Sequence, residues 1–308
     1  MDCASFCTSV MVKKIRYKAS RWSLASRALR RVIIQRLIFP WSDDTASFFP
    51  AFLSHYDLIG IEVLCSGTFE KEFLALSRTI LAEHISCQKL GPGPKVAIDV
   101  GANIGTHALY LSTIVDRVLA FEPNPPVALV CRANKLVAAR ANIEIFDIAL
   151  SDHSGIASLL SGAKEFGGAS LDRSDLGTSL TSVRVELGDS FIQPLIRADE
   201  RVVLIKIDVE GHEPKVLKGI LNVVRRHRPV IIFESSSRAH LSSCTEILES
   251  VGYMRFDAVQ KDWEDKGGIG KLLTFVLGRT EISLKPIDRS QDHFYSSVVA
   301  RPSGITNL

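Results

Sequence analysis

The hydrophobic positions of this chain change from helical spacing to short continuous runs near residue 95. In FEKEFLALSRTILAEHI, at 69–85, apolar residues recur every three or four positions, which predicts a helix. The stretch GPGP at 91–94 cannot continue a helix and marks a boundary. Beyond it, KVAIDV is apolar almost throughout, as expected of a strand that is buried on both faces of a sheet.

Strand-like runs and helical patterns then alternate along the chain. The helical patterns are THALYLSTIV, PPVALVCRANKLVAARA and KVLKGILNVVRRH, and the strand-like runs are RVLAFEP, IEIFDIAL, VVLIKIDV, PVIIFES, YMRFDAV and FYSSVVARP. Such alternation forms βαβ units with right-handed crossovers, so we predict an α/β fold with a doubly wound, mostly parallel, seven-stranded Rossmann-like sheet. Residues 151–200 are rich in Gly and Ser and break the alternation, and we interpret them as an insertion between core strands 3 and 4.

The same pattern divides the chain into three parts: a basic N-terminal arm at 1–40, helical or flexible; a helical extension at 41–94; and the α/β domain at 95–302. The arm carries nine Lys and Arg against one acid, whereas the remainder carries 28 basic and 33 acidic residues. The arm could lie on an anionic membrane surface, act as a targeting segment or contact nucleic acid, but a solvated extension is the simpler interpretation. No apolar run approaches the ~20 residues that span a bilayer, so we expect no transmembrane helix.

The six cysteines are scattered, with no CxxC pair and no zinc-like spacing. We therefore expect free thiols, no structural metal and a reducing, cytoplasmic location. The acidic body and the few aromatic residues of the insertion argue against a nucleic-acid partner. Nothing in the sequence indicates the oligomeric state.

The stretch AIDVGANIG at 97–105 joins a predicted strand to a predicted helix through a glycine turn, which is typical of a nucleotide site. Glu122 ends the next strand 21 residues after Gly101, where a carboxylate can bind ribose hydroxyls. NAD is compatible with these two features. However, Asn103 replaces the middle glycine of the dinucleotide motif, and the Asp99 carboxylate would repel a pyrophosphate. Both residues favour S-adenosylmethionine, which carries an ammonium and a sulfonium but no phosphate.

Five blocks of the chain, in this order, resemble the FkbM family of class I S-adenosylmethionine-dependent methyltransferases. They are AIDVGANIGTHALYLS, VLAFEPNP, IFDIALSDHSG, LIKIDVEGHEPKVLKG and RPVIIFE, and SGTFE at 66–70 and GGASL at 167–171 are similar to further pieces of that family. The resemblance covers roughly residues 66–300 and implies a methyltransferase sheet, S-adenosylmethionine as cofactor, and a sugar or natural-product hydroxyl as acceptor.

The resemblance also implies roles for the matched cofactor residues. Asp99 and Gly101 would lie beside the methionine part of the cofactor, Asn103 and Gly105 would shape the loop, and Glu122 would hold the ribose. Asp147 and Ala149, at the end of the third strand, would border the adenine. For Asp147, a solvated charge at a strand end is an equal alternative.

The stretch LIKIDVEGHEPK offers the catalytic candidates Asp208, Glu210 and His212, because it follows the fourth strand at the same edge of the sheet. If the chain stays extended there, these three side chains project to one side and could act as a general base. The set is compatible with a divalent metal, but no pattern indicates one. We expect no function for Glu213, and we interpret Glu234 as a carboxylate on the rim, facing the substrate.

Two other classes of function remain open from the sequence. One is a nucleotide-dependent oxidoreductase on a similar sheet, and the other is a non-catalytic scaffold that keeps the fold. The segment KDWEDKGGIGKLL after residue 255 and the insertion at 151–200 would shape the pocket for a small-molecule acceptor in the methyltransferase hypothesis.

Overall fold

A computed structural model describes residues 15–18, 71–88, 91, 93–161, 179–261, 279–290 and 294–303. The stretches SGTFE and GGASL, residues 262–273 and most of the arm at 1–40 lie outside the described residues. The chain divides into two compact units, one comprising Ser77–Ala258 with Pro286–Leu308 and the other comprising Asp2–Leu76 with Val259–Lys285. The domain boundaries expected from the sequence stay predictions.

In the smaller unit, strands β1 (Ile15–Lys18) and β11 (Arg279–Pro286) pair antiparallel, with Ile15 opposite Ile282. The described elements of the larger unit, in chain order, are α1 (Lys71–Cys87, from Ser77 onward), β2 (Lys95–Val100), α2 (Thr106–Leu111), β3 (Arg117–Phe121), α3 (Pro125–Val137), β4 (Ile143–Phe146), β5 (Ala149–Ser151), β6 (Gly155–Ser161), β7 (Ser179–Leu187), α4 (Gly188–Ile192), a 3-10 turn (Gln193–Leu195), β8 (Arg201–Ile207), α5 (Glu213–Gly219), α6 (Leu221–His227), β9 (Val230–Ser235), α7 (Arg238–Glu249), β10 (Tyr253–Lys261, as far as Ala258) and β12 (Tyr295–Pro302).

The large sheet of this unit runs β10-β12-β9-β8-β2-β3-β4 across the described strands. Strands β9, β8, β2, β3 and β4 run parallel to one another, and β12 is antiparallel to both β9 and β10. The predicted α/β class with a mostly parallel central sheet is confirmed. Its parallel strands end at one edge, so the loops after β2, β3, β4, β8 and β9 share that edge.

The inner strands are buried along nearly their whole length. In β2 and β8, every residue after the first is buried. Because successive side chains of a strand point to opposite faces, uninterrupted burial means that both faces of the sheet are covered there. The apolar runs of the sequence therefore correspond to strands that are buried on both faces, as predicted.

The structure differs from the sequence interpretation at IEIFDIAL, which was expected to form one strand. It forms two: β4 stays in the large sheet, and β5 leaves it to pair parallel with β7 in a small sheet of order β5-β7-β6. Likewise, KVLKGILNVVRRH forms two short helices, α5 and α6, which meet at Ile220. Hydrophobic periodicity records that a segment is buried, but not which sheet it joins.

Among the described residues, no helix combines the length and the apolar character that crossing a membrane requires.

Candidate functional site

The loop between β2 and α2 depends on two glycines. Gly101 has φ of 77°, and a Cβ there would lie 1.9 Å from the carbonyl oxygen of Asp208. Gly105 has φ of 87°, and a Cβ there would lie 2.6 Å from Sγ of Cys131. Both positions combine left-handed backbone with close contacts, which only glycine accepts without strain. Gly101 thereby lets the ends of β2 and β8 approach each other.

Asn103 shapes the same loop in a way that a non-glycine residue rarely can. It has φ of 52°, a region that Asn enters more readily than most residues. Its backbone N–H donates to Oε2 of Glu122 at 2.9 Å, and its Oδ1 accepts from the N–H of Ile104 at 2.7 Å. The loop is therefore tied to the end of β3.

Glu122 lies directly after β3, is 7% exposed, and organises the strand ends around it. Its Oε1 accepts from the N–H of Asn124 at 2.9 Å, while its Oε2 accepts from Asn103. Burial raises the pKa of Glu122 to about 7, and the nearby charge of Asp99 adds to this, although both backbone hydrogen bonds oppose it. Each carboxylate oxygen retains a second lone pair for a ligand hydroxyl.

Asp99 is fully buried near the end of β2 and is paired across the strands with Lys206 of β8. The Lys206 ammonium lies 3.6 Å from Oδ1 of Asp99 and donates a hydrogen bond to Oδ2 of Asp208 at 3.1 Å. Neither oxygen of Asp99 accepts a hydrogen bond from the part of the chain that the structure describes. One buried ammonium thus contacts the carboxylates at the ends of two neighbouring strands.

The two residues expected at the adenine lie after β4, but they differ in their surroundings. Asp147 is exposed and forms an ion pair with Arg132 at 2.5 Å. Ala149 is buried at the start of β5, opposite Val185 of β7. Beneath this edge, the Phe121 and Phe146 rings stack with centroids 5.1 Å apart.

Three carboxylates converge at the carboxyl ends of β8 and β9. Asp208, Glu210 and Glu234 each place an oxygen within 4.8 Å of the other two. A divalent cation could bridge oxygens at this spacing. The sequence interpretation placed Glu234 on the rim; it could not foresee that Glu234 would join Asp208 and Glu210.

The environment separates the pKa values of the two carboxyls that meet in this cluster. Burial would raise the pKa of Asp208, but the charges of Lys206 and His107 and hydrogen bonds from Lys206 and Glu234 outweigh it, so this pKa lies below its usual value. Burial, and next the charge of Asp208, raise the pKa of Glu234 to about 9. At neutral pH, Glu234 therefore keeps its proton beside an ionised Asp208.

His212 takes a different direction from Asp208 and Glu210. The chain does not stay extended, because Glu210 has φ of 53° and Gly211 has φ of 100°. His212 is buried, and its Nε2 lies 3.0 Å from Oγ of Ser151 in β5. The expectation that Asp208, Glu210 and His212 project to one side required an extended chain, and the chain is not extended here.

Glu213, for which the sequence suggested no function, is 1% exposed and faces the same loop. Its Oε1 accepts from the N–H of Val209 at 2.9 Å, and its Oε2 accepts from the N–H of Gly211 at 3.0 Å. An acidic residue in the first turn of a predicted helix was the available signal, since such residues commonly accept hydrogen bonds from free backbone N–H groups.

Comparison with known proteins bears on what this edge of the sheet does. The family model for the methyltransferase FkbM domain matches residues 99–256, which is half of the chain. The chain belongs to the FkbM methyltransferase family. The matched region begins at Asp99 and contains the loop after β2, Glu122, the acidic cluster and Glu213.

Two curated relatives and one solved structure are similar to this FkbM-family chain. The hexuronic acid methyltransferase AglP of Haloferax volcanii is 34% identical over 142 residues, which cover 44% of this chain and 53% of AglP. The AMB antimetabolite synthetase AmbE of Pseudomonas aeruginosa is 31% identical over 166 residues, which cover 42% of this chain and 8% of AmbE. The chain thus spans about half of one curated relative and a small part of the other. A crystal structure of a methyltransferase FkbM from Methylobacillus flagellatus is 16% identical, with a TM-score of 0.36, over 79% of this chain and 60% of that one.

Proposed function

We propose that this FkbM-family chain transfers the methyl group of S-adenosylmethionine to a hydroxyl oxygen of a sugar or natural product. The observation that carries the proposal is the position of Lys206, whose ammonium contacts both Asp99, beside the glycine loop, and Asp208, in the acidic cluster. A cofactor held at the loop and an acceptor held at the cluster would meet there. The hexuronic acid named for AglP supports a sugar as the acceptor.

The residues of the loop suit the cofactor. Asp99 is fully buried and lacks hydrogen-bond donors within the described residues, so its negative charge is only partly compensated by Lys206 and would attract an ammonium and a sulfonium. Gly101 and Gly105 keep side chains out of the turn, and Asn103 fixes it. The free lone pairs of Glu122 would accept hydrogen bonds from the ribose hydroxyls, and Asp147 and Ala149 would border the adenine.

The acidic cluster would prepare the acceptor. Bound S-adenosylmethionine supplies an electrophilic methyl group and leaves as S-adenosylhomocysteine. A sugar hydroxyl is a poor nucleophile, so a base must take its proton while the new oxygen–carbon bond forms. Asp208 would be that base, because its surroundings keep it ionised. Glu210 would orient the acceptor through a second hydrogen bond. Protonated Glu234 would donate a hydrogen bond to Asp208 and so help to keep that carboxylate ionised. The sequence made His212 catalytic; its contact with Ser151 suits an anchoring role instead.

The experiment begins with calorimetric titration of the full chain with S-adenosylmethionine, S-adenosylhomocysteine and NADH, with Glu122→Ala as the comparison. Methyl transfer is then followed with cofactor radiolabelled in the methyl group and a panel of glucuronic acid, galacturonic acid, their nitrophenyl glycosides and neutral hexosides. We expect micromolar binding of the two sulfur nucleosides, loss of that binding in Glu122→Ala, and label on a hydroxyl oxygen. Binding of NADH alone would instead point to an oxidoreductase.

Asp208→Asn separates chemistry from binding, since it keeps the size of the side chain but removes its basicity. We expect it to bind S-adenosylhomocysteine as the wild type does and to lose about a hundredfold or more in kcat. Parallel assays with added magnesium or with a chelator would determine whether the cluster acts alone or with a cation. An Asp208→Asn variant with unchanged kcat would remove Asp208 from the mechanism.

A further inference from the structure

The loop that carries Asp208 and Glu210 has a backbone conformation that is unfavourable for Glu210. Glu210 has φ of 53° and Gly211 has φ of 100°. The left-handed region suits Gly211 but is costly for a glutamate, which persists there only if its surroundings hold it. Some other group must therefore fix this loop if Asp208 and Glu210 are to stay together.

Glu213 makes the contacts that hold it. The two oxygens of its carboxylate accept from the N–H groups on either side of Glu210, those of Val209 and Gly211. With an exposure of 1%, the carboxylate has almost no contact with water that could replace these bonds. Hydrogen bonds from backbone N–H groups to a charged acceptor are among the stronger kinds in proteins.

Glu213 also reaches the next strand end. Nε2 of His240, in α7, lies 2.9 Å from Oε2 of Glu213, so the two side chains are in direct contact. Helix α7 begins at the Ser237 cap, whose Oγ accepts from the N–H of His240, only three residues after Glu234. The carboxylate of Glu213 thus contacts both the loop of Asp208 and Glu210 and the segment that follows Glu234.

We propose that Glu213 is a positioning residue that holds the Val209–Gly211 backbone against α7, so that the carboxylates of Asp208, Glu210 and Glu234 converge. The proposal deepens the proposed function and rests on it for its catalytic consequence. In this role, Glu213 touches neither cofactor nor acceptor. It acts through the loop, and its loss should lower kcat while leaving cofactor affinity intact.

The test combines Glu213→Gln with amide hydrogen exchange and kinetics on the full chain. The amide group of glutamine can accept from one of the two N–H groups but presents N–H donors to the other, so one buried donor loses its partner. We expect faster exchange confined to residues 208–213. With the sugar that the wild type methylates in the panel above, we expect kcat to fall about 10- to 100-fold, because reacting groups that shift by about an ångström lose rate on that scale. The Kd of S-adenosylhomocysteine should change by less than about threefold, since Glu122 and the glycine loop are untouched.

Asp189→Asn is the matched control. Asp189 is also buried, and its two oxygens also accept from two backbone N–H groups, those of Asn222 and Val223, both at 2.9 Å. The N–H groups of Asn222 and Val223 lie at the start of α6. Helix α5 separates them in the chain from the loop that carries Asp208 and Glu210. Asp189→Asn should therefore lose comparable stability and speed exchange near residues 222 and 223, but leave kcat close to that of the wild type. An equal loss of kcat in both variants would mean that Glu213 contributes only stability, which would overturn the proposal.

A folding defect in Glu213→Gln would not remove the test. Glu213→Asp keeps the charge but is one methylene shorter, so it should show the same changes with less loss of stability. In the wild type, the amide hydrogens of Val209 and Gly211 should exchange slowly, despite lying in a loop. Rapid exchange of both in the wild type would overturn the proposal directly. If no acceptor is methylated by the wild type, the proposed function fails on its own, and the exchange data still decide whether Glu213 holds the loop.

Discussion

Glu122 binds a proton more tightly in the folded chain than an ordinary glutamate does, because burial raises its pKa to about 7. Ribose hydroxyls donate to a carboxylate, so a cofactor should prefer the ionised form and lower this pKa on binding. If Glu122 binds the ribose as proposed, the cofactor affinity that it contributes should be present above about pH 7 and be lost as the pH falls through that value. Because a single proton is linked to binding, the affinity should fall by at most about tenfold for each pH unit.

The prediction is checked by measuring the Kd of S-adenosylhomocysteine between about pH 5.5 and about pH 8, below the titration of most amino groups. Wild-type affinity should fall on the acid side. Glu122→Gln cannot ionise, and its weaker affinity should be flat over the same range. A wild-type Kd that does not change with pH would mean that Glu122 binds no ribose or is not protonated.

Gly101 is the residue whose replacement the loop tolerates least. In Gly101→Ala, the alanine would have to keep the backbone φ of 77°. Its new methyl group would lie 1.9 Å from the carbonyl oxygen of Asp208, so the ends of β2 and β8 would have to separate. We expect a loss of about 3 kcal/mol in the free energy of unfolding, measured by urea denaturation, together with weaker cofactor binding.

Gly155→Ala is the comparison for that change. Gly155 begins β6, and a Cβ there meets nothing within 4 Å. Its substitution should change the free energy of unfolding by no more than about 0.5 kcal/mol. Equal effects at the two positions would show that the close approach of the strand ends at Gly101 is not a constraint on the fold.

Between elements, His212 and Ser151 join the loop after β8 to the small sheet. The bond between Nε2 of His212 and Oγ of Ser151 is buried, and at Gly219 of α5 a Cβ would lie 1.9 Å from the carbonyl oxygen of Ser151. Helix α5 therefore packs against β5 at both of its ends. An anchoring role for His212 accounts for this packing.

The anchoring role predicts that His212→Ala and Ser151→Ala each lower the free energy of unfolding by about 1–2 kcal/mol, and that the double variant loses less than the sum. Neither variant should change kcat by more than about threefold if the loop keeps its conformation. A large loss of kcat in His212→Ala, with Ser151→Ala unaffected, would restore the catalytic role that the sequence suggested for His212.

The sequence predicts the features of this site that depend on local patterns, but not those that depend on long-range pairing. The strand that contains Asp99 and the distance from Gly101 to Glu122 are local features of the sequence. Asp99 lies one residue before the end of β2, and Glu122 lies directly after β3, as the pattern predicted. The direction of His212 depends on a left-handed Glu210, which no residue preference would suggest. The meeting of Glu234 with Asp208 depends on β8 and β9 being neighbours, and the departure of β5 depends on a partner, β7, about 35 residues away. These are long-range pairings that hydrophobic periodicity does not contain.

For the whole molecule, cofactor binding should appear as thermal stabilisation. A ligand that binds only the folded chain at a concentration about a hundred times its Kd adds about 2.7 kcal/mol. For a unit of this size, that corresponds to a Tm increase of about 5–10 °C. S-adenosylhomocysteine should produce this shift by differential scanning fluorimetry, whereas Glu122→Ala with the same ligand, and the wild type with NADH, should not. A shift with NADH alone would contradict the cofactor proposed here.

The position of β12 has a consequence for the chain during its synthesis. Residues 295–302 are made after β9 and β10, yet β12 lies between them in the sheet. During synthesis, one edge of β9 (VIIFES) therefore stays unpaired until about sixty further residues have been made. An unpaired hydrophobic strand edge promotes association with other chains. Nascent chains should need chaperone protection over this interval, and a premature stop codon anywhere before residue 295 should give aggregated or degraded protein, never a shortened enzyme with partial activity.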